Sequence, residues 1–97
     1  MGKRVVIATV KVEPGKMDEY VPLVRTLRDR SLAEQPGTLQ WDILIPHDQQ
    51  NVLKAFNIFA DEEAISAFEN GAPMTWINEA ATGMVREITV EHFDLLD

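Results

Sequence analysis

Four short apolar runs alternate with stretches of helical spacing. The first run, Val5-Val6-Ile7-Ala8-Thr9-Val10-Lys11-Val12, ends at Pro14-Gly15. Its β-branched content suits a pleated surface and predicts a strand from about Arg4 to Val12. Apolar residues fall on both of its faces, which predicts a central strand covered on both sides. Beyond the turn, Met17, Tyr20, Val24, Leu27 and Ser31 recur at three- and four-residue steps, with Leu23 beside them. That period predicts a helix. Asp18 and Glu19 precede Arg28 and Arg30, the order the helix dipole favours. Pro22 lacks a backbone donor, so the helix either starts near Asp18 or bends at the proline.

Pro36-Gly37 closes the helix and leads into a second run, Leu39 to Ile45. A third run, Val52 to Phe59, follows the turn Pro46-His47-Asp48-Gln49-Gln50 and predicts a hairpin. Setting Ile45 opposite Asn51 puts Asp42 opposite Lys54, an opposite-charge pair. On this register one face carries Leu39, Trp41, Ile43, Leu53, Ala55, Asn57 and Phe59. The other carries Gln40, Asp42, Leu44, Val52, Lys54, Phe56 and Ile58. Asp61 is a good N-cap for a helix over about Glu62 to Glu69, with Ala64, Ile65 and Phe68 as its buried stripe. Asn70-Gly71 stops it. Pro73 suits the start of a further short helix, Met74 to Thr82, before Gly83. A last strand, Val85 to Phe93, places Ile88, Val90 and His92 on one face and Glu87, Thr89 and Glu91 on the other.

The order β-α-β-β-α-β predicts a ferredoxin-like α+β fold. Its antiparallel sheet has strand order 4-1-3-2, with the helices on one face. That leaves Leu44, Val52, Phe56 and Ile58 on a face no segment can cover. An apolar patch of this kind marks an interface. A homodimer packing sheet on sheet, a dimeric α+β barrel, would bury it. The alternative is a solvated, partly apolar sheet face.

Composition narrows the function classes. The chain has 97 residues, read as one domain spanning 1–97, and 45% are hydrophobic, enough for a core. Sixteen acids against 9 bases give a net charge of −7, which argues against a nucleic-acid partner. There is no cysteine, which excludes disulfides and thiolate chemistry and fits a reducing compartment. Basic Met1-Gly2-Lys3-Arg4 is followed by too short an apolar run for a signal peptide or membrane span. The expected location is the cytoplasm. No phosphate loop, dinucleotide fingerprint or Ser-His-Asp order occurs.

Three segments carry a family resemblance: Val12-Glu13-Pro14-Gly15-Lys16, Gln35-Pro36-Gly37-Thr38, and Phe56-Asn57-Ile58-Phe59-Ala60-Asp61-Glu62-Glu63-Ala64. They resemble antibiotic biosynthesis monooxygenase domains, which read V-x-P-G-K, E-P-G and Y-E-x-W-x-D-x-x-A. The resemblance covers nearly the whole chain by order and spacing. It implies oxidation of an electron-rich aromatic or quinol without metal or flavin. Phe56-Asn57-Ile58-Phe59 stands where the family often has Tyr-Glu-x-Trp, and Phe68 falls where a helix histidine is usual. A mechanism leaning on that histidine or glutamate therefore does not transfer. Haem degradation is disfavoured, since the first strand has no Asn.

The candidate chemistry is sparse. His92 shares a face with Ile88 and Val90, toward the predicted core. It is either a catalytic base or a strand-end histidine bonded to backbone. Asn57, among apolar neighbours, needs hydrogen bonds from backbone or from a ligand. Trp41, Phe59, Phe68 and Trp76 either line an aromatic pocket or pack as core. Tyr20 either points its hydroxyl at the same cavity or packs. Arg86 either holds an anion or makes a surface ion pair, and His47 belongs to a solvated turn. No metal-ligand spacing is present, so no metal or cofactor is expected. Three functions remain: a cofactor-independent monooxygenase, a non-catalytic small-molecule-binding or stress-response module, and an isomerase or cyclase.

Overall fold

A computed structural model describes residues 2–96. The order is β1 (Arg4–Val12), α1 (Met17–Glu34), β2 (Thr38–Leu44), β3 (Val52–Phe59), α2 (Glu62–Glu69), α3 (Ala72–Ala80) and β4 (Val85–Asp94). The strands form one sheet, β2-β3-β1-β4, antiparallel at every pairing. This is the expected ferredoxin-like α+β order read from its other edge, with the second helical segment divided in two.

Local sequence explains the joints. Gly15 takes φ 82° before α1, and Gly83 takes φ 83° before β4, where a side chain would be strained. The Asp61 side chain accepts the Ala64 backbone N–H at 2.9 Å and caps α2. The first helix starts at Met17 and carries Pro22 inside it.

The hairpin register differs from expectation by two residues. Trp41 pairs with Asn57, Asp42 with Phe56 and Leu44 with Lys54, so the proposed Asp42–Lys54 pair does not form. A shift of two leaves each residue on its face, which is why the face assignment holds. Leu39 is the exception. The register breaks between Thr38 and Gln40, a bulge that turns Thr38 inward and leaves Leu39 exposed.

The core forms on one side of the sheet. Val6, Val10 and Val12 of β1, Leu53, Ala55 and Phe59 of β3, and Trp41 of β2 meet Tyr20, Val24 and Leu27 of α1 and Ala64, Ile65 and Phe68 of α2. Phe59, at 0% exposure, is its centre. The central strand β1 is thus covered on one face rather than both. Its opposite face continues into Phe56, Ile58 and Leu44, which belong to no part of that core.

Gly37 sets the height of α2 above the sheet. A Cβ at this position would overlap the Ala64 Cβ. The Gly37 carbonyl also accepts the Ala60 N–H at 2.9 Å, tying the two chain segments together. Gly37→Ala should therefore lower unfolding stability by about 1–3 kcal/mol through overpacking. Urea unfolding checks this, and a change below about 0.5 kcal/mol would show that α2 shifts freely.

Candidate functional site

A cavity of about 240 Å3 lies between the sheet and the helices. Its origin is a mismatch in cover. The β1–β4 pairing sets Ile88 opposite Val10 and Val90 opposite Ala8, so both face the helix side. Yet β4 lies open, exposed at every position after Val85, and its main packing is against β1. Ile88 and Val90 stay 55% and 46% exposed although they line the cavity. Small Ala8 and Ala55 in the floor add room.

The lining is apolar apart from a few groups. Trp41 and Asn57 are direct cross-strand neighbours on β2 and β3. They are 4% and 2% exposed. The indole Nε1 of Trp41 and the Oδ1 of Asn57 are both buried without a hydrogen-bond partner. Leaving such a group unpaired costs about 1–3 kcal/mol. Three other unpaired atoms, Ser31 Oγ, Gln35 Oε1 and Thr38 Oγ1, cluster in sequence at the α1–β2 corner, away from this lining. Tyr20 also lines the cavity, and burial pushes its phenol above the ordinary value of 10.0. Exposed Glu69 and Asn78 line the mouth, and Glu69 is the single charged residue of the lining.

Four of the expected site residues, Trp41, Asn57, Phe59 and Phe68, come together here. Phe68 packs on Phe59 with ring centroids 5.5 Å apart and meets Trp41 edge-on at 6.5 Å. Trp76 does not join them. Helix α3 begins at Ala72, two residues before the expected start, and Met74, Ile77 and Asn78 line the cavity instead. Trp76 lies under Arg30, 5.9 Å from the ring centroid, while Glu34 holds that guanidinium at 2.9 Å. His92 is also elsewhere. Its pairing with Val6 puts it on the helix side, as expected, but near the end of β4. There it is exposed in a surface recess with Arg4, Glu62 and Ile65 rather than in the cavity wall. Arg86 makes a loose ion pair with Glu13 at 3.9 Å.

Sequence reasoning missed Glu69, Asn78, Ile88 and Val90 as lining residues. The available signal was adjacency: Glu69 and Asn78 directly follow the inward residues Phe68 and Ile77. Among the described residues no group of three His, Cys, Asp or Glu side chains converges to hold a metal ion. No helix among them is long and apolar enough to cross a membrane.

Comparison with known proteins places this geometry. A candidate antibiotic biosynthesis monooxygenase of Caulobacter crescentus has the same fold, with a TM-score of 0.92 at 23% identity, over 99% of this chain and 92% of that one. A Pseudomonas aeruginosa protein gives 0.89 at 16% identity, over 100% and 97%. A candidate antibiotic biosynthesis monooxygenase of Nitrosomonas europaea gives 0.87 at 20%, over 99% and 93%. No curated protein matches the sequence. The sequence profile described as antibiotic biosynthesis monooxygenase matches residues 4–81, from β1 to the end of the helical layer. The chain belongs to the antibiotic biosynthesis monooxygenase family.

Proposed function

We propose that the chain binds a small hydroxylated aromatic or quinol in this cavity and oxygenates it with dioxygen. The observation that carries the reading is the Trp41–Asn57 pair. Trp41 and Asn57 are cross-strand neighbours that line the apolar chamber, and each carries a buried polar atom, one N–H donor and one oxygen acceptor, without a hydrogen-bond partner. A phenolic hydroxyl is complementary to both, since it accepts one hydrogen bond and donates another. A cavity of about 150 Å3 already holds benzene, so 240 Å3 suits a ligand of one or two rings. In the reaction, dioxygen adds one oxygen atom to a ring carbon. The second oxygen leaves as water with the hydrogen of that carbon and the phenolic hydrogen. The substrate supplies the electrons and becomes a quinone.

The titratable side chains of the lining are Tyr20 and Glu69. Tyr20 is held in its neutral form, and Glu69 stands at the mouth, so neither is a base beside the Trp41–Asn57 pair. His92, outside the lining, takes no step in this reading. The shortage of a base also favours a second reading, a binding module without turnover. Oxygen uptake over a panel of hydroquinones and naphthols decides between them. Uptake supports the oxygenase; saturable binding without uptake supports the module.

We extend the reading to assembly. Phe56, Ile58 and Leu44 make the helix-free sheet face self-complementary in character, and a homodimer would remove them from water. Burying such side chains contributes several kcal/mol at about 25 cal/mol per Å2. The cysteine-free composition fits a reducing compartment such as the cytoplasm.

Three outcomes are expected. Asn57→Leu removes an unpaired buried amide, so it should leave the empty fold as stable or up to about 2 kcal/mol more stable, while weakening ligand binding at least tenfold. Thermal unfolding and titration of a naphthol measure the two effects; unchanged affinity would remove Asn57 from the site. The native protein should scatter light as a dimer at micromolar concentration, and Phe56→Asp should give monomer or unfolded chain. Tyr20 is the single tyrosine. Because its folded pKa is raised, folding favours the protonated phenol. The contribution of Tyr20 to stability is then fully present below the unfolded value of 10.0 and is lost as pH rises through the folded value. An ultraviolet titration should show tyrosinate forming above 10.0, and ionisation at or below that value would mean the hydroxyl is solvated.

A further inference from the structure

The mouth of the cavity has a charge of one sign. It opens between α2–α3 and the uncovered strand β4, where Glu69 and Asn78 are exposed and also contribute to the lining. The neighbouring recess in the same α2–β4 gap adds Glu62 and Glu63 and contains His92. No lysine or arginine lines either space; Arg4, in the adjoining recess with Glu62 and His92, is paired with Asp94 at 3.1 Å. Apart from Glu69 the lining has no charged group, and Trp41 and Asn57 in its wall are buried. A ligand charge therefore does not belong at the inner end, where desolvation would oppose it. At the outer end it would meet a carboxylate.

We infer that Glu69 is a specificity-determining residue, which admits neutral and amine-bearing aromatics and refuses their carboxylate counterparts. The inference rests on the cavity being the ligand site, as proposed above. The inner hydroxyl-binding pair and the outer carboxylate divide the work. Trp41 and Asn57 read the polar atom at one end of the ring system, and Glu69 reads the charge at the other. An ammonium at the mouth gains a partner, whereas a carboxylate faces Glu69 with Glu62 and Glu63 close by. Since Glu69 is solvated, the discrimination is modest and screened by salt.

The experiment uses one 2-naphthol ring system with three groups at its far end: 6-aminomethyl-2-naphthol, 6-hydroxymethyl-2-naphthol and 6-hydroxy-2-naphthoate. Each is titrated into the protein at low and high ionic strength, with binding followed by calorimetry. The expected order is amine, then alcohol, then carboxylate, with steps of roughly threefold to tenfold at low salt. Glu69→Gln should compress the order, and Glu69→Lys should reverse it. Asp48→Asn, which removes the same charge from the exposed hairpin tip, should leave it unchanged. Equal affinity for the three ligands, or an order that Glu69→Gln does not alter, overturns the role of Glu69 while the alcohol's binding leaves the cavity reading intact. An order that Asp48→Asn compresses as much as Glu69→Gln also overturns it, since overall charge would then suffice. Failure of the alcohol to bind overturns both the cavity reading and this inference.

Discussion

The helices leave the inner face of one edge strand, β4, without a roof, and the site follows from that shortfall. Strand β4 adds Ile88 and Val90 to the inner surface, where both stay exposed. The core packs closely around Phe59, where β3 lies under α2, and loosens toward β4. The chamber occupies the transition between these regions. Its lining includes the buried Trp41–Asn57 pair and the exposed Glu69.

This arrangement places opposing demands on the same residues. Phe59 and Phe68 contribute to the core and to the cavity wall at once. Asn57 is the reverse case: it sits where a leucine would pack, with its amide oxygen unpaired. Gly37 and Ala64 bring α2 down firmly on one side of the chamber, so the slack falls on the β4 side. Position and width of the opening are thus set from opposite ends of the sheet.

Much of the fold was legible because its punctuation is chemical. Pro14-Gly15, Pro36-Gly37 and Asp61 each mark a joint, and the strand and helix periods are clear between them. Face assignments survived a register error because the error was an even number of residues. Leu39 escaped prediction because a bulge leaves little trace in an apolar run. The cavity was legible in half. Trp41, Asn57, Phe59 and Phe68 lie on regular elements whose inward faces follow from period. Trp76 and His92 did not join them, because which end of an inward face meets a cavity depends on where the covering helices stop. How α3 turns its faces toward the sheet and how far the helices extend toward β4 are tertiary facts, and no local pattern encodes them. Glu69 is the same problem inverted: a solvent-face residue became a lining residue because the mouth opened beside it.

The isolation of β4 has a dynamic consequence. A strand held by one neighbour and roofed by no helix opens locally at a lower free energy than β1 or β3, which are paired on both sides. Transient release of its hydrogen bonds to β1 would widen the chamber without disturbing the core around Phe59. A ligand seated against Ile88 and Val90 would in turn hold the strand in register, so that occupancy and edge-strand order rise together.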